Sequence, residues 1–392
     1  MSAGPRVARA VLAAARPAYV YDLATVRDRV AALRAALPAG TTIVYAMKAN
    51  GHPAVLDAAA RAGDGVEVAS GGELAAAGHH PLTIFSGPAK TDDDLRAAVA
   101  GNAVVNVESL HELRRLGAVA GPARICLRVN RGHAALPGTH RMTGTATQFG
   151  MPETDLAAAA DLVGRDGHAL LGFHLHAVSN NLDADAHAAY IRGCVAWARP
   201  AAAALGIRRP WVNVGGGFGV DVTGEREFDL GALHRQLRAP SLGDDHELLV
   251  EPGRFVAAPA GWYAAEVVDV KRSHGTWFVV IRGGTHHFRL PASWGYSHPF
   301  TVLAVDTWPY DFERPGIVDA RVTVAGEQCN PRDVLARDAH VTRVRAGDVL
   351  LFANTGAYGW ETAHHDFLRL AHPGFITTDV DVITTGLDGT GT

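Results

Sequence analysis

Lysine is almost missing from this chain of 392 residues: of 36 lysines and arginines, three are lysine, Lys48, Lys90 and Lys271. A sequence that draws its surface charge from arginine has no solvation reason to put Lys48 inside "TTIVYAMKAN", an apolar run that reads as a buried strand. The reason is chemical, since a primary amine forms an imine and a guanidinium does not. Cysteine is scarce as well. Cys126, Cys194 and Cys329 are too few and too scattered for a disulfide scaffold, which fits a reducing compartment. No apolar stretch reaches the roughly 20 residues of a membrane span. The opening "ARAVLAAARPAYV" is broken by arginines and lacks a secretory cleavage site, so a cytoplasmic location is expected. A net charge of -4 leaves no electrostatic footprint for nucleic acid or an anionic membrane. Low-complexity tracts, internal repeats and long linkers are lacking too.

What is present is an ordinary globular composition, 48% hydrophobic and 19% charged, long enough for two domains or one large barrel with an appendage. Short β-branched runs alternate with Ala-rich runs of helical spacing that often close on Gly. The strands are "TIVYAMK", "GVEVAS", "TIFSG", "AVVNVES", "ARICLRVN", "LLGFHLHA", "WVNVGGG" and "ELLVEPG". Eight strand–helix units predict an α/β fold, a (β/α)₈ TIM barrel over residues 38–255, with an open doubly wound sheet as the rival. After "EPGRF" the runs "GWYAAEVVDVKRS", "TWFVVIRGG", "ARVTVAGEQ" and "AGDVLLFAN" predict a C-terminal β domain over 256–392. Residues 1–37 precede the first barrel strand and are expected to pack with that domain.

Catalysis in such a barrel sits at the carboxyl ends of its strands. Those ends carry Lys48 and Asn50, Glu67 and Ser70, Ser86, Asn106 and Glu108, Arg128 and Asn130, His174 and His176, Gly215 to Gly217, and Glu251 with Arg254. Singly, each has a bland reading: a solvated lysine, a tight glycine turn, a structural histidine pair, a capped turn. Together they describe a site for a phosphorylated aromatic aldehyde. The lysine holds the aldehyde, the glycine loop cradles the phosphate with arginine help, and an imidazole stacks on the ring. A carboxylate keeps the ring nitrogen protonated, so that the ring becomes an electron sink. Pyridoxal 5'-phosphate is the cofactor that asks for all four.

The motifs "YAMKAN", "FHLHAVS", "GGGFG", "EPGR", "GEQC" and "GAY" stand in the order and approximate spacing of the fold-type III pyridoxal-phosphate decarboxylases, which act on diaminopimelate, ornithine and arginine. The chain resembles this family from about Tyr19 to about Phe375. The resemblance implies an alanine-racemase-like barrel followed by a β domain. By it, Lys48 is the cofactor lysine, His176 rather than His174 stacks on the ring, and Ser179, Gly215, Gly216, Gly217, Gly253, Arg254 and Tyr358 surround the phosphate. Glu251 is the partner of the pyridine nitrogen, and Glu67 and Glu73 are acidic neighbours of the cofactor. The usual glycine after the stacking histidine is replaced by Ala177 and Val178. Cys329 matches a cysteine that reaches the partner subunit's active site, which implies an obligatory homodimer and a thiol that protonates the carbanion after CO₂ leaves.

Glu251 favours decarboxylation over racemisation, because racemases of this barrel place an arginine at the pyridine nitrogen. A non-catalytic cofactor-binding protein would be expected to lack the cysteine or the second domain. A metal hydrolase built on "HLH", His79, His80, His286, His287, His364 and His365 has no clean ligand spacing among 20 histidines, so no metal is expected. For the substrate, Asn330 stands where diaminopimelate and ornithine decarboxylases carry an acid, which removes the counter-charge for a distal ammonium. Asn330 and Asp333 follow Cys329, and "GGTHHFRLPASWGYSHPF" gathers His286, His287, Arg289 and His298 as a receiver for an anionic arm or else a solvated loop. These stretches look most like the siderophore-biosynthesis branch, whose members decarboxylate an amino acid joined to citrate, such as citryl-diaminopropionate. A meso-diaminopimelate or other basic amino-acid decarboxylase is the alternative.

Overall fold

The computed structural model describes residues 5–14, 16–132, 136–238, 242–379 and 383–386. It divides into two compact units, one of residues 27–220 and 226–256, the other of 1–26, 221–225 and 257–392.

The first unit is the barrel. Its strands are β1 (Thr42–Ala46), β2 (Gly65–Val68), β3 (Thr83–Phe85), β4 (Val104–Val107), β5 (Arg124–Asn130), β6 (Ala169–His174), β7 (Trp211–Asn213) and β8 (Glu247–Val250). All pair in parallel with their sequence neighbours, and β8 returns to β1 to close the ring. Closure excludes the open sheet. Strands β2, β3 and β4 are buried at every residue, so their sequences run apolar rather than alternating. Val44, Ile84, Val104, Cys126 and Leu249 pack into one cluster, which makes Cys126 a core residue. Against this background Glu67 and Asn106, polar and buried in strands, stand out.

Several βα turns deliver a side-chain cap to the helix that follows. Ser70 accepts from Glu73 N–H, Ser109 from Glu112 N–H, Asp183 from Ala186 N–H and Asp229 from Ala232 N–H. Thr91 and Asp94 form a reciprocal capping box. These caps fix where each strand stops, and so hold the strand-end side chains in place.

In the second unit, strand Gly261–Ser273 pairs antiparallel with Ala18–Asp22, Thr276–Ile281 and Val349–Ala353. Ala18–Asp22 also pairs in parallel with Gly374–Thr378, so the N-terminal strand is interior to this sheet. Val7, Val11, Val20, Ala264, Val349, Leu351 and Ile376 form its core cluster. The expected N-terminal segment ended at residue 37, whereas the division falls at Val26/Arg27, inside helix Leu23–Ala36. The reason is local: Arg29 lies 3.7 Å over the Phe255 ring and donates to Phe255 O, tying the helix body to the barrel.

Candidate active site

Lys48 owes its position to a single 3-10 turn, Met47–Ala49, that ends β1. Met47 and Ala49 are buried, and Lys48 projects between them with its side chain 41% exposed. Its Nζ lies 2.6 Å from Oε2 of Glu67, which is 1% exposed, while Glu67 Oε1 has no partner. A buried carboxylate with one oxygen unpaired is poised to accept another donor. Glu73 takes Ala69 N–H at 2.6 Å, and burial raises its pKa despite that bond and the nearby Lys48.

Glu251 follows β8. Its Oε1 accepts from Asn213 Nδ2 at 2.7 Å and its Oε2 lies 3.2 Å from His174 Nε2. Burial alone would raise this carboxyl; the charge and hydrogen bond of His174, with the charge of Lys48, hold it well below the usual range. It is therefore an ionised acceptor in a dry setting. The His174 and His176 rings lie nearly parallel, 5° apart with centroids 6.3 Å apart, as the two-residue strand repeat requires. His176 Nδ1 accepts Gly216 N–H at 3.3 Å, and burial, with the charge of Arg128 next, lowers its pKa well below the ordinary imidazole value. A neutral flat ring results.

The glycine loop has to be glycine. Gly215 and Gly217 have φ of 70° and 94°, and a Cβ on Gly215 would come within 2.4 Å of His176 Nδ1. On Gly216 it would meet Glu251 O at 2.4 Å. Gly253 is equally confined, 2.8 Å from Ala49 Cβ for the same construction. Ser179 lies in the short strand Val178–Ser179, which pairs with His140–Arg141, so Ala177 and Val178 lead directly into paired backbone. Asn181 N–H then donates to Gly217 O at 2.8 Å, lacing this segment to the loop. Arg254 opens the turn after Gly253 and is half-buried.

Around these residues runs a buried polar wall of which the sequence had flagged only Glu108, Arg128 and Asn106. Arg128 pairs with Glu108 at 2.7 Å, and Glu108 also takes Gly87 N–H and Gly150 N–H. Lys90 pairs with Glu112 at 2.6 Å and donates to Gly87 O and Asn106 O. Rarity of lysine was therefore no sufficient guide, for Lys90 is a structural ion. Asn213, missed in the sequence, was visible as an amide inside the apolar strand "WVNV".

The remaining expected residues belong to the β-domain unit. Cys329 and Asn330 are exposed at a turn, where Asn330 Oδ1 accepts Arg332 N–H. Arg289 is exposed; His286 is fully buried, with Gln328 Nε2 donating to its Nδ1 and its Nε2 unpartnered. Two of the residues expected to bind substrate are buried and committed to partners within the unit. His287 is 0% exposed, with Nδ1 bonded to Tyr263 OH and Nε2 to Ala371 O, and burial, then His286, lowers its pKa to about 3. It is a neutral core residue and brings no charge to an anion. Asp333 is 2% exposed and spends its carboxylate on Thr285 N–H and Gln328 N–H, organising the turn. His298 is likewise committed, to Ala353 O and Tyr296 OH. The histidine stretch is thus largely core rather than solvated loop. Tyr358 is half-buried at φ 57°, an uncommon backbone for a bulky residue and a mark of functional constraint.

A family profile described as "Pyridoxal-dependent decarboxylase, pyridoxal binding domain" matches residues 23–258. The chain belongs to this family. Among curated proteins, the decarboxylase is 39% identical over 376 residues to the 2-[(L-alanin-3-ylcarbamoyl)methyl]-2-hydroxybutanedioate decarboxylase of Staphylococcus aureus, covering 91% of this chain and 93% of that one. It is 34% identical over 366 residues to the diaminopimelate decarboxylase of Actinosynnema pretiosum, covering 87% and 79%. Among solved structures it resembles Helicobacter pylori diaminopimelate decarboxylase in complex with L-lysine, with TM-score 0.84, 25% identity and coverage of 95% and 94%. The cofactor of the family is pyridoxal phosphate, and the barrel fits it. The glycine loop leaves backbone bare where any Cβ would intrude, and Glu67 Oε1 and His174 Nδ1 are buried polar atoms without partners. The decarboxylase is a carboxy-lyase dependent on this cofactor.

Proposed function

We propose that the enzyme removes the α-carboxyl of an amino acid already conjugated to citrate, of the citryl-diaminopropionate type, as a step in siderophore assembly. The similarity at 39% identity over nearly the full length of both chains carries this reading. The relative's name describes a citrate amide-linked to the 3-position of alanine, so its substrate ends in carboxylates rather than in an ammonium. Asn330, neutral and exposed, suits that ending, and the exposed Arg289 guanidinium is a natural carboxylate receiver.

Lys48 would hold the cofactor through its aldehyde carbon, with the Glu67 carboxylate beside its Nζ. Gly215, Gly216, Gly217 and Gly253, with Ser179 and Arg254, would receive the phosphate. The ionised Glu251 would hold a proton at the pyridine nitrogen, and the neutral His176 would offer its flat face to the ring. When bound, pyridoxal phosphate supplies a cationic conjugated ring that takes up the electron pair released at the α-carbon as CO₂ departs. Cys329 of a second copy donates its thiol proton to that carbon, which makes the active species a homodimer.

The test is CO₂ release by the cofactor-loaded enzyme from citryl-diaminopropionate, meso-diaminopimelate, ornithine, lysine and arginine. Turnover of the citryl conjugate at least about a hundredfold above the others, in kcat/KM, is expected. Preference for diaminopimelate would overturn the substrate and leave the family in place.

A further inference from the structure

Cys329 is exposed, yet the residue before it is among the most firmly anchored in its unit. Gln328 is 8% exposed, and its amide is bonded at both ends. Nε2 donates to His286 Nδ1 at 3.0 Å and to Thr285 Oγ1 at 3.2 Å, and Oε1 accepts from His364 Nε2 at 3.2 Å. The backbone is held as well. Gln328 N–H donates to Asp333 Oδ2 at 2.9 Å, Asn330 N–H to Gln328 O at 2.8 Å, and Asp333 N–H to Asn330 O at 2.9 Å.

The bridge requires an amide. An amide NH₂ only donates, so His286 accepts at Nδ1 and carries its proton on Nε2. The amide oxygen only accepts, so His364 donates from Nε2. Burial lowers the pKa of both imidazoles, and the Arg289 charge lowers that of His364 further, so the rings stay neutral at physiological pH. Between two neutral rings that present one acceptor and one donor, glutamine alone among side chains of this length satisfies both. Glutamate would have to reverse the His286 tautomer. That would turn a lone pair on Nε2 toward Glu327 Oε1, 3.6 Å away.

We propose that Gln328 is the positioning residue for Cys329, its amide spanning His286 and His364 to fix the backbone on which the thiol stands. This rests on the reading of Cys329 as the proton donor. The thiol must meet one carbon before a stray proton does, and a loose turn would let protonation reach the wrong atom, after which hydrolysis by water would release an aldehyde in place of the amine and leave the amino nitrogen on the cofactor.

The experiment compares wild type, Gln328→Met, Gln328→Glu and Cys329→Ala as full-length proteins, with and without cofactor. Amide hydrogen exchange over residues 326–333 and the aldehyde-to-amine ratio at saturating substrate are read together. Methionine keeps the length and loses every side-chain bond. It should speed exchange in that segment about tenfold, the worth of a net hydrogen bond or two, with barrel peptides unchanged. Its aldehyde share should rise toward that of Cys329→Ala, with kcat falling and KM nearly constant. Glutamate, which retains the bond from His364, should fall between, and it serves should the methionine variant fail to fold. Unchanged exchange in both variants overturns the proposal. So does faster exchange with a wild-type product ratio while Cys329→Ala releases aldehyde. If Cys329→Ala itself keeps the wild-type ratio, the donor reading fails and the proposal falls with it, which the exchange data distinguish from a failure of Gln328 to hold the turn.

Discussion

Replacing Glu251 by glutamine separates the charge of this side chain from its shape. The carboxylate is 4% exposed and makes two hydrogen bonds, to Asn213 and His174. Glutamine fills the same volume, and its oxygen can still accept from Asn213. The fold then loses the charge assistance of two bonds, while a buried ion no longer has to be desolvated. The balance is about 1 kcal/mol of stability and a fall in Tm of about 2–4 °C. Chemistry should suffer far more. Without an ionised group to hold the pyridine proton, the loss expected for a removed acid–base partner is about 10²–10⁴ in kcat, or ~3–5 kcal/mol of barrier. Because Lys48 and the glycine loop are untouched, the cofactor should bind with little change. The assay is kcat from CO₂ release with cofactor saturation verified by absorbance, next to a melting curve. A fully loaded Glu251→Gln enzyme with kcat within threefold of wild type would refute the role assigned to this carboxylate.

Lys48→Ala should abolish the visible absorption that an imine gives the bound cofactor, and an unchanged spectrum would remove Lys48 from its role. Gly215→Ala forces a side chain into φ 70° and against His176, so the Kd for pyridoxal phosphate should rise at least about tenfold by titration of the cofactor-free enzyme. Arg289→Ala should raise KM for a carboxylated substrate about tenfold and leave kcat within twofold, while no change in either would return Arg289 to the solvated surface. Acid should destabilise the fold through its buried imidazoles. His187, His287 and His298 have pKa values lowered by burial from 6.5 to about 3, 3 and 4. The unfolded chain therefore binds more protons than the native one between these limits. Stability is full above pH 6.5 and is lost as pH falls toward 4, by about 1.4 kcal/mol per group at pH 5.5. Denaturant midpoints at pH 7.5 and 5.5 test this, and a flat profile would contradict the neutral burial of all three.

The eight strands, their order and the barrel they close were legible because each is a short apolar run with a polar residue at its carboxyl end. Lys48, Glu67, His176 and Glu251 could be picked out for a related reason, since an ionisable group in or just beyond a buried strand has no solvation excuse. The stretch "GGTHHFRLP" was not legible in that way. Its histidines look alike in sequence, yet His287 is a core residue, His286 holds Gln328, and Arg289 alone of the three reaches solvent. The difference lies in partners from residues as far off as Ala371, and no local pattern encodes them. Asp333 and Lys90 mislead likewise, being charged residues whose charge is consumed by backbone and by a buried acid.

Local sequence by itself determined the barrel's periodicity, the positions of its caps and the identity of the residues at its mouth, because strand burial and turn chemistry depend on a few neighbouring residues. Tertiary structure alone decided which of the polar residues are free to act. Whether an imidazole is neutral, a carboxylate ionised or an amide committed depends on desolvation and on partners distant in the chain, and folding is what brings these together.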